Sequence, residues 1–277
     1  MRLMIFALLL VFSVPAFAAE KESVYDRVIR TNTIRCGYYV WPPFIAKDPN
    51  TGIMSGIGYD MMEEIGKQLS LKVEWTAEVN FDALLEGYAS NRYDMVCGPM
   101  TATPAWARAS DFTIPFVYAA YYLYAKEGDK RFDNNYAKVN DPKVRYAALE
   151  GDMNAILGNE EFPLAQKVSL AQITSNVDVL MSVAAGKADV TTMEPVPSNG
   201  FMKANPGKIR QVPGPAVRAM PLNYSVPPGE EKFKAMINIT LKQMIDTGFI
   251  DKMLKKYPDY DATVLRLSPG YGAPAKK

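Results

Sequence analysis

Residues 98–112 carry side chains and backbone groups suited to holding a small ligand. The pattern predicts the end of a buried strand, a sharp turn and the first turns of a short helix. Thr103 is predicted as the helix N-cap and Pro104 as the first helical residue. A helix that begins at the carboxyl end of a strand leaves free N–H groups facing a crevice. We therefore predict a ligand site here, with Trp106 pointing into it.

Three further loops are predicted to face the same crevice. These three loops are residues 38–44, 150–154 and 193–195. Each of them, like the loop 99–106, follows a short apolar strand. In open α/β sheets, ligands bind beyond the carboxyl ends of the strands. The convergence of these loops indicates a binding cleft more strongly than any single motif does.

The elements that carry these loops alternate between strand and helix patterns. In the first part of the chain, strands are predicted at 33–39, 71–75 and 95–98, and the apolar residues between these strands recur at helical spacing. After a polar, turn-rich stretch, strands are predicted at 144–149, 167–170, 189–193 and 209–212. This order is typical of parallel sheets with crossover helices. We predict an α/β protein of two lobes, followed by two helices within 230–257 that break at Gly248.

Charge and composition exclude several classes of function. The 31 basic and 30 acidic residues nearly cancel, which argues against a nucleic-acid partner. The chain has no His, so it lacks the commonest metal ligand and the usual general base at neutral pH. We expect no metal and no cofactor.

The two ends of the chain have the composition of segments outside the fold. Residues 1–18 read as a signal peptide, because a charged start precedes a short apolar run and the small-x-small sequence Ala16-Phe17-Ala18. That run is too short for a comfortable membrane span, so cleavage is favoured over an uncleaved anchor. Residues 268–277 are rich in Pro and Gly and are predicted to be disordered.

The two cysteines, Cys36 and Cys97, each lie in a short strand-like run just before a Gly. In an exported protein an even pair favours a disulfide. The alternative is a pair of buried free thiols that pack as small hydrophobic side chains. The sequence leaves both interpretations open.

Several motifs occur together along nearly the whole chain. They are Thr33-Ile34-Arg35-Cys36-Gly37, Trp41-Pro42-Pro43-Phe44, Gly56-Ile57-Gly58-Tyr59-Asp60, Met100-Thr101-Ala102-Thr103-Pro104 with Asp111-Phe112, Gly186-Lys187-Ala188-Asp189 and Gly248-Phe249-Ile250. In this combination the chain resembles the extracellular solute-binding proteins of family 3, the polar amino-acid type receptors of ABC importers.

The resemblance implies a two-lobed, periplasmic-binding-protein-like fold of type II. Each lobe would hold a central, mostly parallel sheet flanked by helices, and a two-strand hinge would join the lobes. Lobe 1 would comprise 19–117 and 222–267, and lobe 2 would comprise 118–221. The resemblance also implies a periplasmic monomer that closes on a small-molecule ligand and delivers it to an ABC permease at the inner membrane.

The chain departs from the family pattern at the positions that hold an amino acid's carboxylate. Trp106 stands where the family has the carboxylate-binding Arg. Arg108 is two residues on, a rotation of about 200° on a helix, so it is not expected to substitute. Asp152 replaces a small hydroxyl residue, and Pro99 removes an N–H donor. Glu194 corresponds to the family Asp that takes the ligand's amino group.

These departures favour a ligand with positive charge. Aromatic walls and carboxylates suit an amine or quaternary ammonium, with cation–π contacts of roughly 0.5–2 kcal/mol. The predicted ligand-binding residues are Tyr38, Trp41, Phe81, Met100, Thr101, Trp106, Asp152, Met153 and Glu194. Phe81 is equally explained as core packing, and Asp152 as a helix cap.

The predicted function is a receptor for a small polar or cationic solute, rather than an enzyme. Two alternatives remain from other classes of protein. One is a dehydratase-like enzyme on the same fold, with Glu194 as general acid. The other is an accessory protein that binds a protein partner without a solute.

Overall fold

Strands and helices alternate along most of the chain. The computed structural model describes residues 22–80, 83–171, 174–257 and 264–265. The helices are α1 (Val24–Thr31), α2 (Ile57–Leu69), α3 (Glu86–Ala89), α4 (Met153–Glu161), α5 (Asn176–Ala184), α6 (Pro195–Ala204), α7 (Glu231–Asp246) and α8 (Phe249–Leu254). The strands are β1 (Thr33–Tyr38), β2 (Ala46–Lys47), β3 (Met54–Ser55), β4 (Lys72–Glu78), β5 (Met95–Met100), β6 (Asp111–Phe112), β7 (Val117–Lys126), β8 (Arg145–Leu149), β9 (Gln166–Leu170), β10 (Val190–Met193), β11 (Ile209–Gln211), β12 (Arg218–Val226) and β13 (Val264–Leu265).

The strands form two halves with the same order. In lobe 1 the order is β4–β1–β5–β12, with β1 parallel to both of its neighbours and β12 antiparallel to β5. In lobe 2 the order is β9–β8–β10–β7, with β8 parallel to both neighbours and β7 antiparallel to β10. The predicted α/β class and two-lobed architecture are therefore confirmed.

Two long antiparallel strands join the lobes. β7 and β12 pair with each other from Val117 opposite Leu222 to Tyr121 opposite Arg218. Beyond this ladder β7 continues into the sheet of lobe 2, and β12 continues into the sheet of lobe 1. The sequence did not predict that β13 adds a third strand here, through Val264 opposite Ala119.

Helix faces and strand alternation explain where the cores lie. In α2, Ile57, Met61 and Ile65 recur every four residues, so they share one buried face. They join residues of α7 such as Phe233 and Ile237 in the largest core cluster. Full burial of each such side chain stabilises the fold by about 1.5–3 kcal/mol.

Lobe 2 buries its sheet on both faces. In β7, Leu123 and Ala125 belong to one cluster, whereas Tyr124 belongs to another. Successive residues of a strand point to opposite faces, so the two clusters lie on the two sides of this sheet. Within the described ranges, no helix is long and apolar enough to cross a membrane.

Cys36 and Cys97 are joined by a disulfide. Their strands, β1 and β5, are neighbours in the lobe 1 sheet, and the two Cα atoms lie 5.4 Å apart. Both residues are fully buried in the lobe 1 core. The sequence left open a disulfide or two free thiols; the disulfide is confirmed and the interpretation as free thiols is wrong.

Three local predictions differ from the structure. The strand before residue 98 continues through Pro99 to Met100, and the helix predicted after Thr103 is a single 3₁₀ turn, Trp106–Arg108. The helical spacing predicted between the strands at 71–75 and 95–98 corresponds, among the described residues from 83 onward, to an α-helix of just four residues, α3. The sequence analysis did not predict α6, which begins at Pro195 directly after β10. Residues 1–18 and 268–277 lie outside the described ranges.

Candidate ligand-binding cleft

Glu194 lies between the last residue of β10 and the first residue of α6. Its backbone is extended, and its side chain makes no capping hydrogen bond to α6. The residue is only 8% exposed. Its Oε1 atom is buried and has no hydrogen-bond partner among the described residues. A buried carboxylate oxygen without a donor is costly unless the group is protonated or a ligand pairs with it.

Side chains from three other elements surround this carboxyl group. Burial raises the pKa of Glu194 to about 7, and the nearby charge of Asp152 acts in the same direction. Hydrogen bonds from Tyr121, on the hinge strand β7, and from Trp41, in the loop after β1, act against this rise. Glu194 is therefore close to half-ionised at neutral pH.

Asp152 is the second acidic group of the cleft. It is the N-cap of α4, and its side chain accepts a hydrogen bond of 3.3 Å from the N–H of Asn154. Burial raises the pKa of Asp152, and hydrogen bonds from Asn154, Met153 and Asn176 oppose the rise. The Asp152 side chain thus caps α4 and also acts on Glu194. Its interpretation as a helix cap is therefore compatible with its interpretation as a cleft residue.

Tyr39 and Trp41 form an aromatic wall on the lobe 1 side. Their rings stack with centroids 6.1 Å apart and planes 18° apart. The Tyr39 hydroxyl donates to the Pro99 carbonyl at 2.5 Å. A Cβ atom on Gly98 would come within 2.6 Å of the Tyr39 ring, so this approach requires glycine. Burial raises the pKa of Tyr39, and the charge of Glu194 acts in the same direction.

The structure separates Tyr38 from this group. Tyr38 is buried edge-on against Trp75, with ring centroids 5.6 Å apart, and its hydroxyl lies 3.4 Å from Glu78. Neighbouring residues of a strand point to opposite faces. Tyr39, rather than Tyr38, therefore lies on the side of Glu194.

The remaining predicted residues occupy several surroundings. Met100 is buried, and Trp106 packs half-buried against the same small cluster, which Tyr39 also borders. Thr101 is half-buried directly after β5, and Met153 packs against the lobe 1 core. Phe81 lies outside the described residues. Arg108 is exposed at the end of the 3₁₀ turn.

The prediction of Thr103 as N-cap and Pro104 as first helical residue is wrong, because the 3₁₀ turn begins at Trp106 and Ala105 is its N-cap. The Thr103 hydroxyl does accept the N–H of Trp106 at 3.3 Å, and its carbonyl accepts the N–H of Ala107 at 2.9 Å. No longer helix follows, so the N-terminal field expected of a helix is much reduced.

Sequence reasoning missed Tyr39 and Tyr121. Tyr39 lies within the predicted loop 38–44. Its role could have been predicted from the alternation of strand residues, because Tyr38 and Tyr39 point to opposite faces. Tyr121 is one of several tyrosines in β7. Only the position of the hinge distinguishes it, and that position depends on the pairing of β7 with β12.

The cleft geometry can now be compared with known proteins. The model of the bacterial extracellular solute-binding proteins, family 3, matches residues 34–259. The chain belongs to this family. Proteins of family 3 bind small solutes outside the cytoplasm, and the resemblance drawn from the sequence motifs is confirmed.

Two curated relatives of this family 3 chain are amino-acid-binding proteins. A probable histidine-binding protein of Campylobacter jejuni is 28% identical over 214 residues, which cover 74% of this chain and 77% of the relative. The L-arginine-binding protein of Pseudomonas aeruginosa is 24% identical over 263 residues, covering 91% and 93% respectively.

Solved structures share the two-lobed fold. An ancestral amino acid-binding protein, described as a precursor of cyclohexadienyl dehydratase, aligns with a TM-score of 0.67 and 24% identity over 85% of this chain and 99% of its own. A putative ABC transporter binding component from Wolinella succinogenes, complexed with lysine, aligns with a TM-score of 0.67 and 20% identity over 81% and 95%. At these identities the likeness carries the fold alone.

Proposed function

We propose that this family 3 protein is the periplasmic receptor of an ABC importer and binds a small cationic or polar solute between its lobes. The observation that carries the proposal is the buried Glu194 carboxyl group, whose Oε1 has no partner among the described residues. The charge that acts on it is the like charge of Asp152. A cation placed between the two would neutralise both.

The aromatic wall supports the same ligand class. Tyr39 and Trp41 present ring surface beside Glu194, and aromatic faces attract organic cations by about 0.5–2 kcal/mol. Trp106 stands at the position that resembles the family's carboxylate anchor, so an α-carboxylate would lack that partner. The name of one relative, an L-arginine-binding protein, agrees with a positively charged ligand.

Export and delivery complete the proposal. Residues 1–18 would direct the chain to the periplasm and be cleaved after Ala18. The liganded monomer would then be recognised by an inner-membrane permease. The named relatives are binding proteins, so we propose no catalytic step.

Calorimetry with a panel of solutes tests the ligand class. The panel contains cations without a carboxylate (agmatine, putrescine and choline), the amino acids arginine, histidine and glutamine, and the dianion glutarate. We expect at least one cation to bind, glutarate not to bind, and Glu194→Gln to weaken binding by about tenfold or more, since a charge-assisted contact is lost. The matched control is Glu231→Gln, an exposed position on α7.

Two outcomes would refute this proposal. One is tight binding of glutamine or another neutral amino acid that is lost in Arg108→Ala, because Arg108 would then anchor the carboxylate. The other is equal affinity in wild type and Glu194→Gln for every bound solute.

A further inference from the structure

The contact between Trp41 and Glu194 crosses from one lobe to the other. Trp41 belongs to the loop between β1 and β2 of lobe 1, whereas Glu194 follows β10 of lobe 2. The Glu194 carboxyl group is only 8% exposed, its Oε1 has no hydrogen-bond partner among the described residues, and the indole of Trp41 acts on its pKa as a hydrogen-bond donor does. Beside it, Met153 at the start of α4 in lobe 2 packs against the lobe 1 core. Separation of the lobes parts these contacts and admits water to the carboxyl group. The surroundings of Glu194 therefore depend on whether the cleft is closed.

Among the described residues, the groups that act on Glu194 carry no positive charge. Asp152 at the start of α4 adds a like charge, and Tyr121 on β7 donates a hydrogen bond. Tyr39, directly after β1, interacts with the same carboxyl group. Both tyrosines are uncharged at physiological pH, since burial raises the pKa of each. In an empty closed cleft, an ionised Glu194 is thus buried beside Asp152 with neutral hydrogen-bond donors but with no opposite charge from these groups.

We propose that a proton on Glu194 substitutes for the ligand's positive charge, so that the empty receptor closes in acid and opens as the pH rises. The proposal rests on the proposed function only in taking this cleft as the binding site. In the closed cleft, protonation removes the repulsion from Asp152 and the cost of burying a second charge. In the open cleft, water solvates the carboxylate, and protonation gives no such advantage.

The direction and size of the effect follow from proton linkage. Burial in this structure raises the pKa of Glu194 from its ordinary value of 4.5 to about 7, and an open, hydrated carboxyl group would return toward the ordinary value, so the closed state binds more protons between these values. Closure is therefore favoured progressively as the pH falls through 7. The closing equilibrium can change by up to about 300-fold across this range, since each pKa unit is a factor of ten.

The distance between the lobes in ligand-free protein tests the proposal. Spin labels are attached at Ile53→Cys in lobe 1 and Val177→Cys in lobe 2, both exposed positions, while the native cysteines are oxidised and buried. Bound ligand is removed by unfolding and refolding with the disulfide intact. Pulsed electron resonance then measures the distance at about pH 5 and about pH 8.5, values that bracket the linkage range.

We expect a shift from longer to shorter distances when the wild-type pH is lowered. Glu194→Gln, which is uncharged at every pH, should keep the short distance at both. Asp152→Asn retains the helix cap, since Asn caps as well as Asp, and should move the transition to lower pH. A wild-type distance that is independent of pH overturns the proposal, as does a pH response that persists in Glu194→Gln.

The measurement separates this proposal from the proposed function. No ligand is present, so a failure of every cation to bind leaves the pH response intact. Conversely, a receptor that binds cations yet shows no pH response in its lobe distance loses only the proton switch.

Discussion

Asp189 makes in lobe 2 the contacts that Asp94 makes in lobe 1. Asp94 accepts the backbone N–H of Arg35 at 2.7 Å and binds its guanidinium group at 2.9 Å. Asp189 accepts the backbone N–H of Arg145 at 2.8 Å and binds its side chain at 3.1 Å. Asp94 directly precedes β5 and Asp189 directly precedes β10, while Arg35 lies near the start of β1 and Arg145 begins β8. The pair fixes the strands whose far ends carry the cleft loops.

Asp94→Asn should destabilise the protein more than Asp189→Asn. Asp94 is fully buried and is the carboxylate partner of both Arg27 and Arg35, whereas Asp189 is 14% exposed and one of its two arginines, Arg131, also pairs with Asp129. We expect a loss of about 2–4 kcal/mol in the free energy of unfolding for Asp94→Asn and about 1–2 kcal/mol for Asp189→Asn. Urea unfolding measures both. The exposed Asp246→Asn serves as the control and should change stability by less than about 0.5 kcal/mol; equal effects at Asp94 and Asp246 would contradict the argument.

Gly98→Ala should disturb the aromatic wall. The added methyl group would lie 2.6 Å from Cε1 of Tyr39, so the ring or the strand must shift. We expect a destabilisation of about 1–3 kcal/mol and weaker ligand binding. Gly200→Ala is the matched control, because it lies in α6 with no atom within 4 Å of the new Cβ, and it should be neutral or slightly stabilising. Unchanged melting and affinity in Gly98→Ala would show that the ring yields freely.

Removal of the disulfide should lower stability without changing the fold. The bond joins residues 61 positions apart, and closing such a loop stabilises the folded state by about 4 kcal/mol in the chain-entropy model. Cys36→Ala with Cys97→Ala should therefore unfold at a clearly lower urea concentration than the oxidised wild type. Reduction of the wild type should have a similar effect. A double variant as stable as the oxidised protein would show that the disulfide does not contribute to the free energy of unfolding.

Cation binding should release protons near neutral pH. A bound cation favours the ionised form of Glu194, so it lowers the pKa from about 7. Binding should therefore strengthen as the pH rises toward 8, with proton release at about pH 6 and little release at about pH 8.5. Calorimetry of the best cation in two buffers of different ionisation enthalpy measures the protons released. In Glu194→Gln the buffer dependence should disappear; if it remains, another group is titrating.

Restoring a carboxylate anchor should require two substitutions. Trp106→Arg places a guanidinium group at the position that resembles the family's anchor, but Asp152 still repels an anion. We expect the single variant to bind alanine no better than wild type. Adding Asp152→Thr should produce at least about tenfold tighter binding of alanine, measured by calorimetry. A gain from Trp106→Arg alone would show that Asp152 does not control the charge of the ligand.

The order of strands and helices could be predicted because apolar spacing is a local property. The disulfide could not be decided, since it depends on β1 and β5 being neighbours, and pairing between distant strands is not local. The start of α6 was missed because Pro195 was interpreted as the end of a strand, although Pro is also favoured at the first position of a helix. Glu194 and Asp152 were identified by position in a motif, whereas their mutual electrostatic effect required the fold.

The matching strand order of the lobes has a consequence for how the chain folds as it is exported. Lobe 2 takes all of its sheet from one continuous segment, from β7 to β11. The sheet of lobe 1 is completed by β12, which follows lobe 2 in the chain. Domains that are contiguous in sequence can fold as units while synthesis or export continues. Lobe 2 can therefore finish folding before the sheet of lobe 1 is complete. The strands β1, β4 and β5 of lobe 1 come earlier in the chain, but they lack their partner β12 until lobe 2 has been synthesised.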